Sequence, residues 1–170
     1  IACKFLKMNK KIAIIGGGNL GSAIAEGLIT SKFCKSSDIT ITKRKTETLQ
    51  SFKEKGVRIT SDNAEAVNKS DVIILAVKPY QVSDVLNSFL DKLSDKHILV
   101  SVVTGVSIAD IREIIQKDIP VFRAMPNTAI SIRQSMTCLS FANSSEDQIS
   151  LIEKIFSPVG KVVIIDEKLM

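Results

Sequence analysis

The stretch IAIIGGGNLGSAIAEGL, from Ile12 to Leu28, narrows the fold more than any other part of the chain. An apolar run crosses three consecutive glycines and passes straight into a helical pattern, with Leu20, Ile24 and Leu28 on one face. Glycine loses more freedom on folding than any other residue, so a cluster of it marks a backbone that something must approach closely. Gly16-Gly17-Gly18-Asn19-Leu20-Gly21 fits G-x-G-x-x-G, and its place between a strand and a helix is the context that gives the pattern meaning. In that setting Gly16 permits the tight turn and Gly18 leaves the main chain open to a pyrophosphate. Gly21 lets the helix pack close to the strand. The helix N-terminus then presents free amides and a favourable dipole to the phosphates. No G-K-[ST] follows, which argues against a nucleoside-triphosphate loop.

Further along, apolar runs alternate with amphipathic ones. Strands are expected at Lys11–Ile15, Ile39–Thr42, Val57–Thr60, Val72–Val77, Ile98–Val103, Val121–Met125, Met136–Ala142 and Lys161–Ile165. Helices are expected at Asn19–Ile29, Glu47–Lys55 (closed by Gly56), from Asp62 to Asn68, Gln81–Leu90, Ile108–Ile115 and Glu146–Phe156. Ser107 and Asp110 have the spacing of a capping box. The run VIILAV is apolar throughout, as a strand covered on both faces must be. The pattern predicts an α/β fold, a doubly wound, mainly parallel Rossmann-type sheet with helices on both faces. Residues 11–170 read as one dinucleotide-binding domain, with 1–10 a leader or disordered start and Met8 a natural first residue.

The 170 residues suffice for one full core. No apolar run reaches the roughly 18 residues that span a bilayer, so no membrane association is expected. The net charge of +5 comes without a basic, aromatic-interleaved run, which argues against a nucleic-acid partner. Cys3, Cys34 and Cys138 are widely spaced, so they suggest neither disulfides nor a metal site and fit a cytoplasmic location. No His, Cys, Asp or Glu cluster has metal-ligand spacing, and no metal is expected.

Cofactor choice is legible at the end of the second strand. An NAD site usually carries Asp or Glu there for the ribose hydroxyls. Here Thr42 holds that place and Lys43, Arg44 and Lys45 follow. A guanidinium grips a 2′-phosphate that a carboxylate would repel, so NADPH is expected, anchored by Arg44 and Lys43, with NADH as the alternative. Other strand ends, Ala76–Gln81, Val102–Val106 and Arg123–Ala129, carry proline, glycine or small polar residues where a nicotinamide would rest.

These segments, in this order, resemble pyrroline-5-carboxylate reductase. The resemblance rests on IGGGNLGSAIAEGL, GVRITSDNAEAVNKSDVIILAVKP, SVVTGVS, VFRAMPNTA and VGKVVIIDEKLM, and RAMPNT is the most specific. It implies an oxidoreductase that reduces the C=N bond of Δ1-pyrroline-5-carboxylate to give L-proline, with NADPH or NADH as hydride donor. It places Gly17, Asn19 and Leu20 on the pyrophosphate, Lys43 and Arg44 around the adenosine phosphate, and Asn63 at the adenosine end. Ala76, Val77, Lys78 and Pro79 are placed along the ribose and nicotinamide, and Thr104, where the family usually has alanine, beside the ring. Met125, Pro126 and Asn127 become a wall between cofactor and substrate.

Members of that family continue past a segment like DEKLM into a helical half that binds substrate and makes a homodimer or larger assembly. That half is absent from these 170 residues. The resemblance therefore speaks to cofactor binding more directly than to turnover, and it leaves the catalytic residue unknown. Ala129 replaces the proline common after RAMPNT. Other readings are a deazaflavin-dependent NADP reductase, which shares the glycine loop, and a nucleotide-binding domain without chemistry. Among single residues, His97 is expected to be exposed and structural, Tyr80 a packing residue, Lys78 a cofactor or solvent contact, and Asp71 a turn residue rather than a metal ligand.

Overall fold

A computed structural model describes residues 10–170 of the protein. The expected leader, apart from Lys10, lies outside the described residues, as do Cys3 and Met8. Ile12–Ile15 forms β1, whose four side chains are all buried: Ile12 and Ile14 enter one core, Ala13 and Ile15 the other. A strand buried on both faces has no polar alternation, which is why the sequence reads as an unbroken apolar run.

The remaining strands are β2 (Ile39–Thr42), β3 (Arg58–Thr60), β4 (Val72–Leu75), β5 (Ile98–Ser101), β6 (Val121–Pro126), β7 (Ser135–Ala142) and β8 (Gly160–Ile164). They form one sheet in the order β3-β2-β1-β4-β5-β6-β7-β8. All neighbours pair parallel except β6 and β7. The connection from β6 to β7 is a single 3₁₀ turn, Thr128–Ile132, too short for a crossover helix, so the chain must return antiparallel.

The helices are α1 (Asn19–Thr30), α2 (Gln50–Glu54), α3 (Asn63–Asn68), α4 (Val82–Asn87), α5 (Ile108–Ile115) and α6 (Glu146–Phe156). Ile24 and Leu28 of α1 share one core with Ile152, Ile155 and Phe156 of α6. Val67 of α3, Leu86 of α4 and Ile111 of α5 share the core on the opposite face. This is the doubly wound, two-faced sheet the alternation predicts, with its switch point between β1 and β4.

Local signals account for most boundaries. Asp62 caps α3 by accepting from the Glu65 amide at 3.0 Å. Ser107 and Asp110 close a capping box on α5, as do Ser145 and Gln148 on α6. Gly56, at φ +85°, ends α2. Some expectations are corrected. The first half of the expected 47–55 helix is a 3₁₀ turn, Thr46–Leu49. The strand at VIILAV stops at Leu75: the Ala76 amide still donates to Ile15 at 2.8 Å, but the chain then diverges toward Pro79. His97 is fully buried rather than exposed. Its Nδ1 accepts from the Ser94 amide at 3.0 Å, which leaves Nε2 to donate to the Val67 carbonyl at 3.2 Å. Burial, first among the causes, pushes the imidazole below its ordinary value. No helix among the described residues is long and apolar enough to cross a membrane.

Candidate functional site

The register of the central strands builds one straight edge. Thr42, Ile15 and Leu75 are paired across β2, β1 and β4, and Leu75 pairs with Ser101 of β5. The loops that leave this row carry most of the residues singled out in the sequence. Arg123 of β6 pairs with Ser101, so β6 runs three residues further, through Ala124, Met125 and Pro126, still paired with β7. At 3.3 Å per residue that raises a ridge about 10 Å beyond the edge. Met125 and Pro126 are half-buried on the ridge, and Asn127 follows, its amide donating to the Ser135 hydroxyl at 3.1 Å.

At the switch point the glycines divide their tasks. Gly16 has φ +112°, and a β-carbon there would strike the Ala76 carbonyl oxygen. A β-carbon on Gly21 would strike the Gly16 carbonyl oxygen and reach 3.0 Å from Ile14 Cγ2. At Gly17 it would meet Ile41 and Leu49 at 2.9 Å. Around Gly18, by contrast, a β-carbon would have nothing within 4 Å. Three positions are closed by the protein and one faces open space.

The amides divide in the same way. Gly16 and Gly17 both donate to the Thr42 carbonyl, at 3.2 and 2.7 Å. The Gly17 N–H is thus used to hold the loop against β2. The amides of Gly18, Asn19 and Leu20 make no hydrogen bond among the described residues, and no side chain caps α1. They are the orphan donors of a helix start, with the dipole behind them.

Thr42, at the end of β2, is 2% exposed, and its carbonyl binds the glycine loop. Lys43 and Arg44 follow immediately, half-buried and exposed, and neither forms an ion pair among the described residues. Two cations without ion-pair partners among the described residues thus follow the strand end that holds the glycine loop, an arrangement with the chemistry to take an anion with more than one charged group.

Asn63 begins α3, where its Nδ2 donates to the Ser88 hydroxyl at 3.1 Å. Ala76 and Val77 are half-buried at the end of β4, and Lys78 and Pro79 are exposed. The Lys78 amide donates to Gln81 Oε1 at 3.3 Å, a local bond for which the i, i+3 spacing in KPYQ was the available signal. Thr104 and Gly105 are exposed, with Gly105 at φ +74°. Tyr80 is 81% exposed, which overturns the expectation of a packing residue. Asp71 accepts from the Lys11 amide at 2.8 Å and lies 3.5 Å from Lys10 Nζ, holding the start of β1 at the opposite end of the sheet. A cavity of about 580 Å³ opens between α2, β3 and α3, lined by Lys53, Arg58 and Lys69 among others, away from the glycine loop. One residue of the edge had no sequence signal, Ser135, which holds Asn127; Thr42 was marked by its place, but the use of its carbonyl was not.

The comparisons agree with this geometry. A family model described as NADP oxidoreductase, coenzyme F420-dependent, matches residues 11–105. A pyrroline-5-carboxylate reductase of Dictyostelium discoideum is 43% identical over 97% of this chain and 60% of its own length. A solved pyrroline-5-carboxylate reductase from Coxiella burnetii superposes with a TM-score of 0.90 at 35% identity, over 95% of this chain and 60% of that one. A pyrroline carboxylate reductase from Plasmodium falciparum, solved with NADP bound, superposes with a TM-score of 0.83 at 25% identity, over 95% of this chain and 60% of that one. The chain thus spans about three fifths of the length of each of these proteins.

Proposed function

The chain belongs to the family of NADP oxidoreductases described as coenzyme F420-dependent and is built like the dinucleotide-binding domain of the pyrroline-5-carboxylate reductases; from that premise we propose that it binds NADPH for the reduction of Δ1-pyrroline-5-carboxylate to L-proline. One observation carries the reading. The Gly18, Asn19 and Leu20 amides stand open beside clear space at Gly18, near Lys43 and Arg44, which form no ion pair among the described residues. A diphosphate fits the amides, and a 2′-phosphate fits the cations.

The bound nicotinamide supplies hydride to the carbon of the ring C=N bond. The chain's own residues orient it. The glycine loop fixes the diphosphate, the Ala76–Pro79 and Thr104–Gly105 segments line the path of the nicotinamide half, and the Met125–Asn127 ridge walls the side toward the substrate. Positioning of this kind lowers the barrier without a covalent step.

The division of labour implied by the family completes the proposal. Residues 11–170 hold the cofactor, and a helical half of the kind the resemblance implies supplies substrate contacts and a homodimer. The proposed location is the cytoplasm; Cys34 and Cys138 are half-buried thiols, and burial pushes Cys34 up to about 11. A deazaflavin-dependent reductase is the weaker reading. The family model whose description names that coenzyme ends at residue 105, whereas similarity to the pyrroline-5-carboxylate reductases runs on through RAMPNT.

The test is a titration followed by turnover. The protein is titrated with NADPH by nicotinamide fluorescence, and pyrroline-5-carboxylate is then added while the reduced nicotinamide absorbance is followed. Saturable binding supports the cofactor assignment, and oxidation dependent on pyrroline-5-carboxylate supports the substrate. Failure to bind NADPH would overturn the proposal.

A further inference from the structure

Arg123 opens the RAMPNT motif, yet nothing in the cofactor site uses it. Its side chain is 10% exposed, on the face of β6 that looks toward α5. Its Nη1 donates to Glu167 Oε1 at 3.1 Å, and its Nε is buried with no partner among the described residues. The same Glu167 oxygen accepts from the Ile108 amide, the first of α5, at 2.8 Å. A buried guanidinium is costly to keep, so what it holds is informative.

Its neighbours in register extend the arrangement. Ser101 on β5 and Ser140 on β7 both pair with Arg123 across the sheet. The Ser101 hydroxyl accepts from the Val103 amide at 3.3 Å, at the start of the loop from β5 to α5. The Ser140 hydroxyl donates to the Ile165 carbonyl, two residues before Glu167. The polar row therefore grips the loop at one end and the segment after β8 at the other. Arg123 and Glu167 join the two.

The start of α5 confirms a holding role. Its Ser107 amide is taken by Asp110 at 2.8 Å, its Asp110 amide by Ser107 at 3.1 Å, and its Ile108 amide by Glu167. The start of α1 is open, and that of α5 is sealed. Between Val103 and Ser107 lie Thr104, Gly105 and Val106; Val106 packs against the core, whereas Thr104 and Gly105 are exposed and a β-carbon on Gly105 would touch nothing within 4 Å. The tip of the turn, Thr104–Gly105, has no packing of its own, so its position depends on the segments anchored on either side of it.

We propose that Arg123 is a positioning residue for the nicotinamide half of the cofactor: through Glu167 it clamps the start of α5 and so holds the Thr104–Gly105 turn where the ring must rest. This rests on the cofactor reading above. Loss of the clamp frees the turn while leaving the glycine loop and Arg44, which meet the adenosine half, untouched.

The experiment compares NADPH with adenosine 2′,5′-bisphosphate, which keeps the adenosine and 2′-phosphate but lacks the nicotinamide. Arg123→Met and Glu167→Ala are expected to raise the NADPH Kd roughly fivefold while moving that of the bisphosphate by less than about twofold. Glu167→Gln keeps an acceptor oxygen and should restore the NADPH affinity. Ser140→Ala, a milder release of the Glu167 segment, should shift NADPH in the same direction and covers the case in which a clamp variant does not fold. Parallel weakening of both ligands, or no change in either, overturns the proposal. Failure of the unaltered protein to bind either ligand defeats the cofactor reading itself, a separate outcome.

Discussion

Gly18→Ala and Gly21→Ala separate the scaffold from the ligand site. Both add one methyl group, three residues apart in the same loop. At Gly21 the new carbon would strike the Gly16 carbonyl and crowd Ile14 at 3.0 Å. Backbone cannot swing aside, and overpacking of this kind costs about 1–3 kcal/mol. For a domain of this size that lowers Tm by roughly 3–10 °C. At Gly18 the carbon meets nothing within 4 Å, and φ −82° with ψ −168° suits alanine. Alanine is a poorer N-cap than glycine, but it also restricts the unfolded chain by about 0.4–1 kcal/mol, so the two nearly cancel. The methyl group occupies the space assigned to the diphosphate, and a loss of about 1.4 kcal/mol there is tenfold in Kd. Thermal melts and NADPH titrations of the two variants give the readout. Gly18→Ala should melt like the unaltered protein and bind at least roughly tenfold more weakly, while Gly21→Ala should melt early. A Gly18→Ala protein that binds NADPH as well as its parent would refute the placing of the diphosphate.

Arg44→Ala should weaken NADPH by about 1.5–3 kcal/mol, the worth of a charge-assisted hydrogen bond, and leave NADH nearly unchanged; equal losses in competitive titrations would remove Arg44 from the 2′-phosphate. His97 is buried with its pKa pushed below the ordinary 6.5, so below that pH the unfolded chain takes up a proton that the native protein does not. Stability should therefore fall as pH drops through 6.5 toward the folded value, and His97→Gln should flatten that slope in urea unfolding; an unchanged slope would show that another group titrates. Ser135→Ala removes the hydroxyl that holds the Asn127 amide at 3.1 Å and should cost about 0.5–1.5 kcal/mol, the net worth of one hydrogen bond at an exposed residue, measured by the same unfolding.

Much of this architecture could be read from the chain because periodicity and capping act locally. The apolar run at Ile12–Ile15, the boxes at Ser107 and Ser145 and the cap at Asp62 each state their element within a few residues. The glycine loop was equally legible in the turn at Gly16 and the close packing at Gly21. What stayed hidden depends on partners distant in sequence. Nothing around Thr42 announces that its carbonyl will take the Gly16 and Gly17 amides and leave those of Gly18, Asn19 and Leu20 open. His97 looks like a surface residue in SDKHILV, and only the Val67 carbonyl, 30 positions away, explains its burial. Arg123 reads as part of a motif, but its partner Glu167 lies 44 residues on.

The central claim is that a dinucleotide diphosphate rests on the bare amides at the start of α1. Backbone amide resonances of the protein, followed as NADPH is added, test it most directly. The account predicts large shifts and slowed exchange at Gly18, Asn19 and Leu20, with smaller changes at Gly16 and Gly17, whose N–H groups remain on the Thr42 carbonyl. Saturation of the protein with those three amides unmoved would contradict it.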